Sequence, residues 1–167
     1  MTHVARNRFE HIVQTFDIAL SNTDSPVSLA FTDEYADNQG LGSIVNTERY
    51  ELTRTHEVQS YTLDSFVWQH SISYVDLVKI DIQGGEWSLL QGGVRVFSEM
   101  GPDLLMEFSP NDLRENGKDS TDLARVVEDF GYRIYTLNAD GTAGRRLFAS
   151  SLNPDFRAPN VLCTKRL

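Results

Sequence analysis

Lys79-Ile80-Asp81-Ile82-Gln83-Gly84-Gly85-Glu86 combines charge, glycine and apolar residues in a spacing that could do chemistry. Asp81 stands near the end of an apolar run, where a charge is costly unless it faces a cleft or finds a partner. The two glycines that follow let a backbone or a ligand approach closely. Glu86 stands where a helix would begin, and negative charge is favoured there. The plainer reading of the same residues is structural: Asp81 caps local N–H groups, Lys79 pairs with a neighbour, and Glu86 complements a helix. A further carboxylate, Glu107, stands near the end of the next apolar run. As a pair, Asp81 and Glu107 would suit a divalent cation or acid–base hydrolysis.

The flanking sequence predicts the elements that position these groups. Residues 75–82 form a nearly continuous, β-branched apolar run, the pattern of a strand buried on both faces. Gly84-Gly85 ends it, and residues 86–91 read as a helix with Leu89 and Leu90 inward, interrupted by Gly92-Gly93. Residues 94–100 add another turn or two. Pro102 precedes a second buried strand over 103–108, which Ser109-Pro110 closes. Ser120 or Thr121 caps a helix in which Leu123, Val126, Val127 and Phe130 share one face, and Gly131 stands where a terminating glycine belongs. Strands follow over 132–137, 147–148 and 161–164, with a turn over 138–141.

Upstream the signals are shorter. Phe16, Ile18 and Leu20 alternate with polar residues, as do Val27, Leu29 and Phe31, and the two runs suggest a β-hairpin. Residues 32–43 read as a polar surface loop, Ile44-Val45 as a short strand and 56–61 as a strand. Thr62 is placed to cap a short helix carrying Asp64, Leu63, Phe66 and Val67. From residue 75 onward strands and helices alternate, which predicts an α/β domain over 1–167 with a mostly parallel sheet. Ligands of such sheets bind beyond the carboxyl ends of the strands.

The run from Val75 to Glu86 resembles the signature of the FkbM-type methyltransferase family, hydrophobic-Lys-Ile-Asp-Val-Glu-Gly-x-Glu. The flanks agree with it: Thr62-Leu63-Asp64, Leu89-Leu90-Gln91-Gly92-Gly93, the stretch from Pro102 to Glu107, Phe130-Gly131-Tyr132, Asn160-Val161-Leu162 and the segment from Phe16 to Asn22. The resemblance implies methyl transfer from S-adenosylmethionine to an oxygen of a sugar or small metabolite. It implies a Rossmann-like methyltransferase sheet, mostly parallel with an antiparallel C-terminal strand. Asp81 would then lie beside the cofactor's methyl end and orient the acceptor or accept its proton, with Lys79 and Glu86 beside it. Ser21 and Asn22 would fall on the adenine side of the cofactor.

Two departures stand out. Gln83 occupies the place of the family's usual Glu, which removes a charge from the loop. The family's opening strand and Gly-rich loop have no counterpart before Phe16, and Gly40-Leu41-Gly42 is better read as a structural turn, because no helix pattern opens after it. The chain therefore matches the C-terminal two-thirds of the family pattern, as an N-terminally truncated domain. A sheet without its first strands would expose an edge. That implies a homo-oligomer or an N-terminal partner covering it, and it keeps open a non-catalytic remnant that acts through such an interface.

Composition narrows the rest. A net charge of -9 with no basic cluster disfavours nucleic acid. No apolar run reaches the ~20 residues of a membrane helix, and no signal peptide is visible, so a cytoplasmic protein is expected. One cysteine, Cys163, precludes an internal disulfide framework, and His3, His11, His56 and His70 lack metal-ligand spacing. Cys163 reads as a buried strand residue, Trp68 and Trp87 as core or cleft wall, and Asp33, Glu34 and Asp37 as a solvated loop.

Overall fold

The computed structural model describes residues 3–31, 43–44 and 54–166. The expectations for the loop 32–43, for Gly40-Leu41-Gly42, for Asp33, Glu34 and Asp37, and for Val45 lie outside those residues, apart from Ser43. A short helix α1 (His3–Arg6) opens the chain, followed by β1 (Ala19–Ser21), β2 (Val27–Phe31), β3 (Ser43–Ile44), β4 (Arg54–Val58), β5 (Ser60–Thr62) and α2 (Leu63–Gln69). The second half runs β6 (Leu77–Ile80), α3 (Glu86–Gly92), a π-helical turn (Val96–Met100), β7 (Asp103–Phe108), α4 (Pro110–Glu115) and α5 (Ser120–Asp129). It closes with β8 (Arg133–Leu137), β9 (Ala143–Leu147), a 3-10 turn (Ala149–Ser151) and β10 (Ala158–Thr164).

The main sheet has five strands in the order β6-β7-β10-β8-β9. The α/β class holds, but the sheet is not mostly parallel. Only β6 and β7 pair in parallel, while β10 runs antiparallel to both β7 and β8, and β9 antiparallel to β8. The cause is connectivity: β10 returns from the far end of the sequence and inserts between β7 and β8. The turn after β8, closed by the Thr142 carbonyl accepting from the Asn138 N–H, then folds β9 back on β8.

The sheet also buries one face, not two. Along β7, Leu104, Met106 and Phe108 are buried while Asp103, Leu105 and Glu107 alternate outward. Ile80, Ile134, Val161 and Cys163 join the buried side, where they meet Leu89 and Leu90 of α3 and Leu123, Ala124 and Val127 of α5. On β6 the double burial expected from the apolar run fails outright, since Leu77 is 55% exposed. Lys79, on the same outer side of β6, is exposed as well.

The expected N-terminal hairpin is absent as well. β1 pairs in parallel with β5, and β2 lies in a separate antiparallel sheet with β3 and β4. Two contacts favour this parting. The Ser60 hydroxyl donates to that of Ser21 (2.9 Å), and Asp24 in the intervening turn accepts from the Thr62 N–H (2.6 Å) and the Ser65 hydroxyl (2.8 Å). The strand expected over 56–61 is thus two strands in two sheets, parted at Gln59.

Local capping follows the chemistry of the sequence. Thr62 caps α2 by accepting from the Ser65 N–H (3.1 Å). Asp64, one turn in, accepts from the N–H groups of Arg95 and Val96, both at 2.9 Å, and so ties α2 to the start of the π-helical turn. The cap of α5 is Asp119, one residue before the expected Ser120, accepting from Thr121 and Asp122. Gly131 takes the left-handed conformation (φ 87°) predicted for it.

Candidate functional site

Two carboxylates meet at the carboxyl end of the parallel pair. The β6–β7 register sets Ile80 against Met106, so Asp81 continues beside Glu107. Ile80 and Met106 point into the core. Their successors therefore share the opposite, open face, because strand side chains alternate.

The Gln83 amide joins the two. It donates to Asp81 Oδ1 (3.2 Å) and to Glu107 Oε2 (3.4 Å). Gln83 has φ 50° and Gly84 φ 92°, so two successive left-handed residues turn the chain back over the strand ends. At Gly84 the turn is tightest, since a Cβ there would lie 2.6 Å from the Asp112 carbonyl oxygen. A glutamate at position 83 would set a third carboxylate against two others; an amide supplies donors to both.

Lys79 Nζ lies 3.0 Å from Asp81 Oδ2, on side chains 42% and 46% exposed. This ion pair, with hydrogen bonds from Glu107 and Gln83, holds the Asp81 carboxyl below the ordinary aspartate range. Glu107 moves the other way. Partial burial raises it, and the neighbouring charges of Asp81, Asp112 and Glu86 raise it further. Glu86 is 2% exposed, and its Oε1 accepts from the Ile82 N–H (3.2 Å). Burial raises its carboxyl too. Glu86 opens α3 as its position suggests and is also a buried brace of the loop.

Lys79, Asp81 and Glu86 are thus gathered at one end of α3. Ser21 and Asn22 sit at the other. Gly92 at the C-terminal end of α3 packs on the Ser21 backbone, and the Asn22 amide donates to Gln91 (3.4 Å). The helix between spans ~10 Å at 1.5 Å per residue. The buried Ser21 hydroxyl already receives Ser60 and the Thr23 N–H, whereas Asn22 is exposed.

Among the described residues no three His, Cys, Asp or Glu side chains gather as a metal site, which leaves the Asp81–Glu107 pair as two carboxylates sharing an amide. The sequence marks Gln83 as a lost charge and sets Glu107 at a strand end without naming it among the site residues. The equal distance of the two acids from their strand ends was the available signal. A hollow of about 490 Å³ lies away from this pair, between α2 and the π-helical turn, lined by Val67, Trp68, Ile72, Arg95, Val96 and Met100 among others. Trp68, 77% exposed, is wall there and not core. Trp87 is half-buried beneath the Lys118 ammonium, 4.1 Å from its ring centre. No helix is long and apolar enough to cross a membrane among the described residues.

No curated protein and no solved structure matches the chain. A family model described as the methyltransferase FkbM domain matches residues 7–134. That span takes in the signature strand, the loop with Gln83, and Glu107, so the acidic pair falls inside the matched region. Covering well over half of the sequence, the match places this chain in the FkbM methyltransferase family.

Proposed function

We propose that the chain is an S-adenosylmethionine-dependent methyltransferase acting on a hydroxyl of a sugar or small metabolite, with its acceptor bound at the Asp81–Glu107 face. The observation that carries this reading is the exposed, ionised Asp81 at the carboxyl end of two parallel strands, within the matched family domain. β6, β7 and β8 run the same way with β10 reversed between the last two. That order supports a Rossmann-like sheet with a reversed C-terminal strand.

The residues fit one end of the cofactor better than the other. Asp81, Glu86, Glu107 and Asp112 surround the turn, with Lys79 paired to Asp81, and an acidic surround favours a sulfonium cation. On the adenine side Ser21 is buried and its hydroxyl engaged, so the exposed Asn22, whose amide donates only to Gln91 at 3.4 Å, is the side chain placed to meet a ligand. When bound, S-adenosylmethionine supplies a methyl group on positive sulfur, which an acceptor oxygen displaces in line. Asp81 accepts the hydrogen bond of the acceptor hydroxyl and aims its lone pair. Positioning of this kind supplies much of the rate in a displacement. Lys79 keeps Asp81 ionised, and Glu86 holds the loop by its bond to Ile82.

A second reading, a non-catalytic remnant acting through an interface, draws support from the exposed Leu77 on the outer side of β6. Calorimetric titration with S-adenosylmethionine or its demethylated product separates the two. Micromolar binding, with labelled methyl passing to a hydroxylated acceptor and lost in a folded Asp81→Ala variant, supports the enzyme. A folded chain that binds neither compound refutes it in favour of the remnant.

A further inference from the structure

The two carboxylates at the strand ends are not equivalent, and their geometry divides the work between them. Asp81 is bound on two sides, by the Lys79 ammonium at 3.0 Å and by the Gln83 amide at 3.2 Å. Each of these stabilises its anion, so it is well suited to hold a hydroxyl and poorly suited to take a proton from one. Among the described residues no cation forms an ion pair with Glu107. Asp81 faces it from β6, Glu86 from α3 and Asp112 from α4, all of them acids. Across the sheet, where β10 departs from regular pairing, stand Pro159 and Asn160, neither ionisable. Its one polar neighbour from the loop is the Gln83 amide, 3.4 Å away.

We infer that Glu107 is the proton-accepting residue of the site and Asp81 the orienting one, with Gln83 the positioning residue that holds both against the same acceptor hydroxyl. This rests on the methyl-transfer reading. As the oxygen–methyl bond forms and the methyl–sulfur bond breaks with its electron pair left on sulfur, the hydroxyl proton passes to the Glu107 carboxylate. From there it leaves to water across the open face. Burial and the three acids raise the Glu107 carboxyl, which makes it the more basic of the two.

The test begins with carbon-13 NMR of the whole chain labelled at its Asp and Glu carboxyls, followed through a pH titration. Glu107 is expected to titrate above Asp81, and Asp81→Asn, which removes a negative neighbour, is expected to move the Glu107 midpoint down. Asp81 titrating above Glu107, or a Glu107 midpoint indifferent to Asp81→Asn, overturns the inference without reference to activity. The second arm uses methyl-labelled S-adenosylmethionine with methyl glucoside as the hydroxyl probe. Glu107→Gln is expected to lower kcat by roughly 100-fold and to abolish the acidic limb of the kcat profile. Asp81→Asn is expected to raise KM for the glucoside and to keep that limb, displaced to lower pH. An acidic limb that survives Glu107→Gln and vanishes in Asp81→Asn reverses the two roles and overturns the inference. If the titrations hold while the wild-type chain neither binds the cofactor nor moves label, it is the methyl-transfer reading that fails, and the division of charge between the two acids stands.

Discussion

Gly92→Ala probes the contact on which the upstream half of the domain rests. Gly92 ends α3, and a Cβ built there would lie 1.9 Å from the Ser21 carbonyl oxygen, 2.9 Å from its carbonyl carbon and 3.3 Å from the Asn22 Cα. All three are backbone atoms, so no side chain can rotate away. Relief requires β1 to retreat by about 1 Å, and overpacking of that kind typically costs about 1–3 kcal/mol. Set against it is the better helix propensity of alanine, about 1 kcal/mol. Because β1 also carries the Ser21–Ser60 hydroxyl bond, the cost should fall at the upper end, for a net loss of about 2 kcal/mol. In a domain of this size that lowers Tm by about 4–8 °C. Chemical and thermal denaturation followed by circular dichroism reads it directly. Gly117→Ala is the control: its φ is 66° with nothing within 4 Å of the added carbon, so it carries backbone strain alone, about 1 kcal/mol. A Gly92→Ala protein as stable as the wild type would mean that β1 does not close on α3, and the placement of Ser21 and Asn22 would fall with it.

The hydrogen bonds from the Thr62 N–H and the Ser65 hydroxyl depress the Asp24 carboxyl. Its stabilising contribution is therefore complete above the ordinary aspartate range and lost as pH falls through the lowered midpoint. Asp24→Ala should flatten the acid side of the stability–pH curve, and an unchanged curve would sink the proposed tie between the turn and α2. Cys163 is wholly buried, and burial pushes its thiol far up. The native chain should resist a disulfide reagent at pH 8 and release one equivalent only in denaturant; rapid native reaction would contradict the packing of β10. We propose that a second copy of the chain covers the edge of β6 that is unpaired among the described residues, which predicts concentration-dependent association in sedimentation and its weakening in Leu77→Lys. A monomer at every concentration would count against it.

Features set by near neighbours were legible in the sequence. The Thr62 cap, the face of α5 and the left-handed Gly131 each depend on residues within one or two turns. The shift of the α5 cap from Ser120 to Asp119 is a contest between adjacent capping residues, and the carboxylate reaches two N–H groups. Ser109-Pro110 reads equally as the close of β7 and as a helix start, and α4 begins there. What failed depended on distant segments. The apolar run of β6 reads as doubly buried, but whether a layer covers its outer side is decided elsewhere in the fold. β1 was assigned to β2, the next strand, whereas its partner β5 lies 39 residues on at Ser60–Ser21. Both acids of the site were visible at their strand ends, but the register that sets Asp81 beside Glu107, and the left-handed turn that brings Gln83 between them, are tertiary facts.

β10 pairs with both β7 and β8 in the middle of the main sheet, yet it is the last strand to be synthesised. Its contact with β7 joins Met106 to Cys163 across 57 residues. During translation β6, β7 and β8 emerge well before the strand that bridges them, with the apolar side chains of Met106, Phe108 and Ile134 still lacking the neighbour that seals them. Closing the sheet is thus a late, non-local event, of the kind that slows folding and leaves unpaired strands exposed to other chains. A nascent chain stalled short of residue 158 would leave unpaired the edges of β7 and β8 that β10 fills, and would be a natural client for a chaperone.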